Sequence, residues 1–144
     1  MSLLTIPRPL YQRLLDHCRE EWPREAVGVL LGRDGRVERG YALPNVHPDP
    51  ERHFALDPVD QEEVLRPVAA GLCEFLALYH SHPRTVAVPS PQDLAGAAGA
   101  GYLLIISLAQ EPPDVRAYRI DRGQPLPVPH RKGDGMAWEW FDLR

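Results

Sequence analysis

Residues 74–83 read EFLALYHSHP. Positions 74–79 are a short, mostly apolar run of strand length, which predicts a buried strand. The run leads without a break into His80 and His82. Residues two apart in a strand share a face, so both imidazoles point to the same side. Pro83 then turns the chain and stiffens its exit. Outward from here, YLLIISLA at 102–109 reads as a core strand, and VRAYRI at 115–120 alternates as its partner across the turn at 111–114. Upstream, AVGVLLG at 26–32 is a third apolar run, and Asp34-Gly35 turns it back into 37–43 as a hairpin. Before it, Tyr11, Leu14, Leu15, Cys18 and Trp22 recur at helical spacing over 9–22, with Pro9 in the first turn and Pro23 as the stop.

The remaining elements are shorter. Residues 53–56 are read as a strand. Asp57-Pro58 has the form of a helix start, and Asp60, Glu62 and Glu63 suit its positive end. Pro67 shortens that helix to about residue 66. Ser90-Pro91 opens another helix, running to about Ala98. The predicted order over residues 1–120 is α-β-β-β-α-β-α-β-β, a mixed α/β domain with helices packed on a sheet. Residues 121–144 form a proline-rich tail. Its Trp138, Trp140 and Phe141 are expected to fold back on the core, a homodimer contact being the alternative.

Composition narrows the function classes. The chain has 144 residues, 44% of them hydrophobic and 25% charged, which suits one globular domain with a core. Its net charge is −4, so a nucleic-acid partner is not expected. No apolar stretch approaches about 18 residues, so no membrane span is expected. The opening residues lack a basic segment followed by an apolar run, and a cytoplasmic protein is the default. Cys18 and Cys73 form no CxxC pair and are read as small buried hydrophobes rather than a disulfide. Sixteen prolines, clustered at 44–50, 83–91, 112–113 and 125–129, mark rigid loops between short elements.

The chemistry-bearing residues gather around the first strand. His80 and His82 can reach one metal ion, and Asp93 stands in the first turn of the following helix. A strand end facing a helix start is a common place for a site in α/β folds. Two imidazoles and a carboxylate suit zinc and leave its fourth position open for water. Plainer readings exist for each residue. His80 and His82 also fit two surface histidines. Ser90 and Asp93 also fit an ordinary helix cap. Glu25 also fits a surface acid, although it leads directly into a buried strand, where an unpaired carboxylate is costly.

Taken together, His80-Ser81-His82-Pro83, six residues, Ser90, two residues and Asp93 resemble the metal-binding signature of the JAMM (MPN-plus) metallopeptidase family. The stretch PREAVGVLLG at 23–32 resembles that family's glutamate-bearing strand, and the likeness covers about residues 9–120. The resemblance implies an MPN, cytidine-deaminase-like architecture: a curved mixed β-sheet flanked by helices. It implies one zinc per chain on His80, His82 and Asp93. It implies that Glu25 shuttles the proton of the zinc water and that Ser90 polarises the scissile carbonyl. The implied substrates are peptide or isopeptide bonds at the C-terminus of ubiquitin-like proteins. Val27 stands where many relatives have cysteine, a core position that leaves the chemistry untouched.

Three functions compete at this point. The first is hydrolysis at the C-terminal Gly-Gly of a small ubiquitin-like sulfur carrier, suggested by the resemblance to short stand-alone bacterial members. The second is a zinc amidase acting on other peptides, cell-wall peptides included. The third is a non-catalytic module, RadC-like or merely zinc-stabilised. RadC-like proteins have asparagine where this chain has Ser81, and the acidic balance disfavours DNA. His17, His47, His53 and His130 match nothing and are read as ordinary surface or loop residues.

Overall fold

The computed structural model describes residues 3–144. Among them the chain runs β1 (Leu4–Pro7), α1 (Arg8–Glu21), β2 (Val27–Arg33), β3 (Arg36–Leu43), α2 (Pro58–Val64), α3 (Arg66–Ala69) and β4 (Glu74–His82). It continues with α4 (Pro91–Gly96), β5 (Tyr102–Ser107), β6 (Asp114–Asp121), β7 (Gln124–Val128), β8 (His130–Gly133) and β9 (Glu139–Asp142). The strands form one mixed sheet in the order β7-β6-β5-β4-β2-β3-β1-β8, with β9 pairing β3. β4 lies inside the sheet, antiparallel to β2 and parallel to β5.

Both faces of the sheet are covered, which is why its central strands read as continuous apolar runs. β5 makes the point residue by residue. Leu104 and Ile106 join Leu4, Leu10, Leu14 and Cys18 in the core beneath β1 and α1. Leu103 and Ile105 join Val27, Leu78 and Ala97 on the opposite face, with Phe54 and Leu94 packed against them. His17 lies in the first of these layers rather than on the surface: it is fully buried, and its Nδ1 meets the Tyr79 hydroxyl at 2.6 Å. Cys18 and Cys73 are both free. No helix among the described residues is long and apolar enough to cross a membrane.

The order expected from sequence needs four corrections, one of them a separate short helix, α3, that starts at Arg66 and takes in Pro67 where the preceding helix was expected to stop. Residues 53–56 belong to no strand or sheet. Their polar groups are taken elsewhere: the Ala55 amide donates to the Asn45 side chain, the Ala55 carbonyl accepts from Val46, and the His53 carbonyl accepts from Asn45. Residues 4–7 form an additional strand, whose parallel pairing with β8 no local pattern announces. Residues 121–144, read as a tail, carry three strands. Pro125 and Pro127 are accommodated because β7 is an edge strand, with one side free of ladder bonds. Elsewhere the local signals hold. Asp57 caps α2 by accepting from Val59 and Asp60, and α2 ends at Val64, ahead of Pro67.

Gly28 lies where β2 meets β4, and a Cβ there would overlap the Tyr79 ring and the Tyr41 carbonyl oxygen. Gly28→Ala is therefore expected to destabilise the fold by about 1–3 kcal/mol through overpacking. Urea denaturation of both proteins measures this, and an unchanged midpoint would show that the sheet has room to give.

Candidate metal centre

The C-terminal end of β4 builds the site. From Leu78 onward its even-numbered residues share the face that Leu78 packs on, so His80 and His82 project beneath α4 and Phe54. The Phe54 ring packs on His80 with centroids 4.6 Å apart. Nε2 of His80 and Nε2 of His82 stand 3.1 Å apart. The Asp93 carboxylate closes the triangle, Oδ2 at 3.0 Å from His82 Nε2 and Oδ1 at 3.3 Å from His80 Nε2. The structure thus brings the three predicted ligands together, and all are at least 94% hidden from water.

Asp93 owes its position to the start of α4. The Ser90 Oγ accepts from the Asp93 amide at 3.1 Å, and Asp93 Oδ2 accepts from the Ser90 amide at 2.9 Å. This is a reciprocal capping box. The cap and the cluster are therefore the same arrangement: the cap orients the carboxylate that faces the histidines.

The donor set fits a divalent cation. His82 Nδ1 lies 2.8 Å from the Val86 carbonyl, which can only accept, so Nδ1 carries a hydrogen and Nε2 is the nitrogen that a cation would take. Separations of 3.0–3.3 Å between the converging atoms match the edge of a tetrahedron with bonds of about 2 Å. Burial pushes Asp93 up, but hydrogen bonds from His80 and His82 outweigh it and hold the carboxyl well below the usual range. Burial holds His80 below its ordinary value, whereas for His82 the bonds to Asp93 and Val86 overcome burial and raise it. The two imidazoles and the carboxylate thus face one another at hydrogen-bond distance, and a cation held between them would replace those bonds.

Glu25 stands just before β2, whose Val27 pairs with His80. It is 4% exposed, and its Oε1 has no hydrogen-bond partner among the described residues. Burial pushes its carboxyl up to about 8, with His82 pulling the other way and Asp93 adding to the rise. Two groups that sequence reasoning did not single out position this segment. The Ser81 hydroxyl accepts from the Ala26 amide at 2.8 Å. Asn45 donates to the Glu25 carbonyl at 2.9 Å. The Asn45 contacts are non-local and leave no periodic signal. Ser81 was visible only as the residue between the histidines.

A carboxyl raised in this way is protonated in the folded state while the unfolded chain has already lost its proton. With a chelator present, the stability contributed by this group is full below about pH 4.5 and falls as pH rises toward 8. Denaturation midpoints are therefore expected to fall more steeply between pH 5 and 8 in the wild type than in Glu25→Gln. Parallel slopes would mean that the carboxyl is not desolvated.

Comparison with known proteins agrees with this geometry. The profile described as prokaryotic homologs of the JAB domain matches residues 7–121. A probable TtuB-protein conjugate cleaving protease of Thermus thermophilus is 36% identical over 122 residues, covering 85% of this chain and 79% of that protein. A CysO-cysteine peptidase of Mycobacterium tuberculosis is 34% identical over 125 residues, covering 84% and 85%. A JAB1/MPN domain protein from Archaeoglobus fulgidus shares the fold, with a TM-score of 0.63 at 18% identity over 92% of this chain and 100% of that one. The chain belongs to the JAB (JAMM, MPN-plus) family, in its prokaryotic branch.

Proposed function

We propose that the protein is a zinc-dependent peptidase that hydrolyses an amide bond at the C-terminus of a ubiquitin-like sulfur-carrier protein. One observation carries this reading: His80, His82 and Asp93 converge beside a buried carboxyl, Glu25, whose Oε1 has no hydrogen-bond partner among the described residues. The three converging residues would hold one zinc per chain. When bound, the metal supplies Lewis acidity, which activates water and polarises a carbonyl at neutral pH.

The remaining work falls to this chain's own groups. Glu25 takes a proton from the attacking water and returns it to the departing amine, a general base and then a general acid. Its desolvation suits that exchange, since a carboxyl with raised proton affinity both accepts and releases a proton near neutrality. Ser90 accepts from the Asp93 amide through Oγ, and its hydroxyl proton is left to donate to charge developing on the substrate carbonyl oxygen. Losing one such donor costs about 100- to 1000-fold in rate.

The names of the two curated relatives, one cleaving TtuB conjugates and one acting on CysO-cysteine, support a carrier-protein substrate. Family membership supports the same class. A flexible tail laid along strand-like backbone gains its affinity from main-chain pairing and needs only small residues where it approaches the metal. A Gly-Gly terminus meets that demand.

Two outcomes test the metal and the chemistry. The protein isolated without chelator is expected to contain about one zinc per chain by elemental analysis. Asp93→Ala is expected to lose the zinc, whereas a capping role alone predicts only about 0.5–2 kcal/mol of destabilisation with zinc retained. Glu25→Gln is expected to keep zinc and fold while its kcat drops by at least about 100-fold. The substrate is tested by incubating the zinc-loaded enzyme with a sulfur carrier extended by one residue beyond Gly-Gly and weighing the products. Release of that residue is expected. An intact carrier alongside cleaved unrelated or cell-wall peptides would replace this substrate with a general amidase's.

A further inference from the structure

We infer that Asn45 is a positioning residue, which sets the catalytic direction of Glu25 by holding its main chain. The inference rests on the proposed role of Glu25 as the proton carrier. A carboxyl that must take up and release a proton cannot be tied down by strong bonds to its own oxygens. In this protein Oε1 of Glu25 is buried with no hydrogen-bond partner among the described residues, so its direction depends on its backbone. That backbone lies outside the sheet ladder, because β2 begins only at Val27.

The segment 45–55 supplies what the ladder does not. The Glu25 amide donates to the Pro50 carbonyl at 2.7 Å, and the Glu25 carbonyl accepts from Asn45 Nδ2 at 2.9 Å. Both main-chain polar groups of Glu25 are thus held by one loop, and Asn45 organises that loop. Its Nδ2 also faces the carbonyls of His53 at 3.0 Å and Pro50 at 3.3 Å. Its Oδ1 accepts from the amides of His47 and Ala55, each at 3.1 Å. The orientation of the amide follows from these partners: carbonyls only accept and main-chain N–H groups only donate. Nδ2 has two hydrogens for three carbonyls, so the longest contact, to Pro50, shares one of them. No other side chain supplies two acceptances and two donations from one planar group of this length. Aspartate keeps the accepting half and sets an anionic oxygen against three carbonyls. Alanine keeps neither half.

A displacement of the reacting group by about 1 Å can cost about 100-fold in rate. Asn45→Ala is therefore expected to lower kcat by about 10- to 100-fold, with KM within about twofold and zinc content unchanged, since Asn45 touches no metal ligand. Asn45→Asp, which keeps the accepting half and loses the donating one, is expected to be less stable than wild type while still folded, and to lose kcat in the same range. Two further readouts separate positioning from general support. In the Glu25→Gln background the Asn45→Ala change is expected to alter the residual kcat by less than about twofold, because a residue acting only through Glu25 has nothing left to act on. Amide hydrogen exchange in the intact chain is expected to speed up by at least about tenfold at Glu25, while the amides of β2 and β4 keep their protection. Equal losses of kcat in both backgrounds, a rise in KM with kcat preserved, or unchanged exchange at Glu25 would each overturn the inference. If the wild type hydrolyses no carrier or peptide, the proposed function falls and the catalytic half of the inference with it. The exchange measurement would still decide whether Asn45 anchors Glu25.

Discussion

A reciprocal contact between Ala26 and Ser81 underlies the site. The Ser81 amide donates to the Ala26 carbonyl at 3.0 Å, and the Ala26 amide donates to the Ser81 hydroxyl at 2.8 Å. The first bond extends the β2–β4 ladder one step past its last pair, Val27 with His80. The second replaces a ladder bond with a side-chain one, beyond the end of the regular strand. Because neighbours along extended backbone point to opposite faces, fixing Ala26 and Ser81 sends Glu25, His80 and His82 to the other side. The three groups that need to act together are thus aligned through residues that take no part in the chemistry. Ala26 and Ser81 are 1% and 0% exposed, so water does not compete for these bonds.

Burial on this scale would be unfavourable for an ordinary polar cluster. A buried charge is tolerated when it is paired and hydrogen-bonded, and costly otherwise. Asp93 meets that condition, with two imidazoles and a backbone amide around its oxygens. Glu25 does not, and its carboxyl responds by holding its proton. The two carboxyls are thereby pushed in opposite directions: Asp93 is held well below the usual carboxylate range, and Glu25 is raised to about 8. Such a division between paired carboxyls assigns different roles to chemically similar groups. Here the assignment follows from which one faces the imidazoles.

The sequence revealed those parts of the protein whose cause is local. Period-two spacing put His80 and His82 on one face. The Ser90-Pro91 start marked α4, and apolar runs marked β2, β4 and β5. Asp93 was legible twice, as an N3 capping residue and as a candidate third ligand, and in the structure the cap also aims its carboxylate at the two histidines. What stayed hidden depends on contacts between distant residues. β1 is four residues long, and its partners are β3 and β8, the latter some 125 positions away. Residues 53–56 have the composition of a strand, but Asn45, Val46 and the core layer beside α4 claim their groups first. The anchoring of Glu25 by Asn45 crosses twenty positions and involves a residue type common in loops, so nothing in its neighbourhood singled it out.

The six-residue spacing between Pro83 and Ser90 also has a physical reason. Asp93 reaches the histidines with a short side chain, so α4 must begin close to the end of β4. The connecting segment is fixed at three successive carbonyls, each by a different part of the fold. Thr85 accepts from Ser107 at the end of β5, Val86 from His82 itself, and Ala87 from the Tyr118 hydroxyl on β6. A residue more or fewer would shift all three acceptors relative to donors that are fixed in the sheet. One of those donors is the His82 imidazole, so an altered loop would also release that ring from its orientation. Loop length, helix position and histidine orientation are therefore coupled. A spacing that looks in the sequence like a bare count is the distance over which a strand end, a capped helix and two neighbouring strands remain in contact.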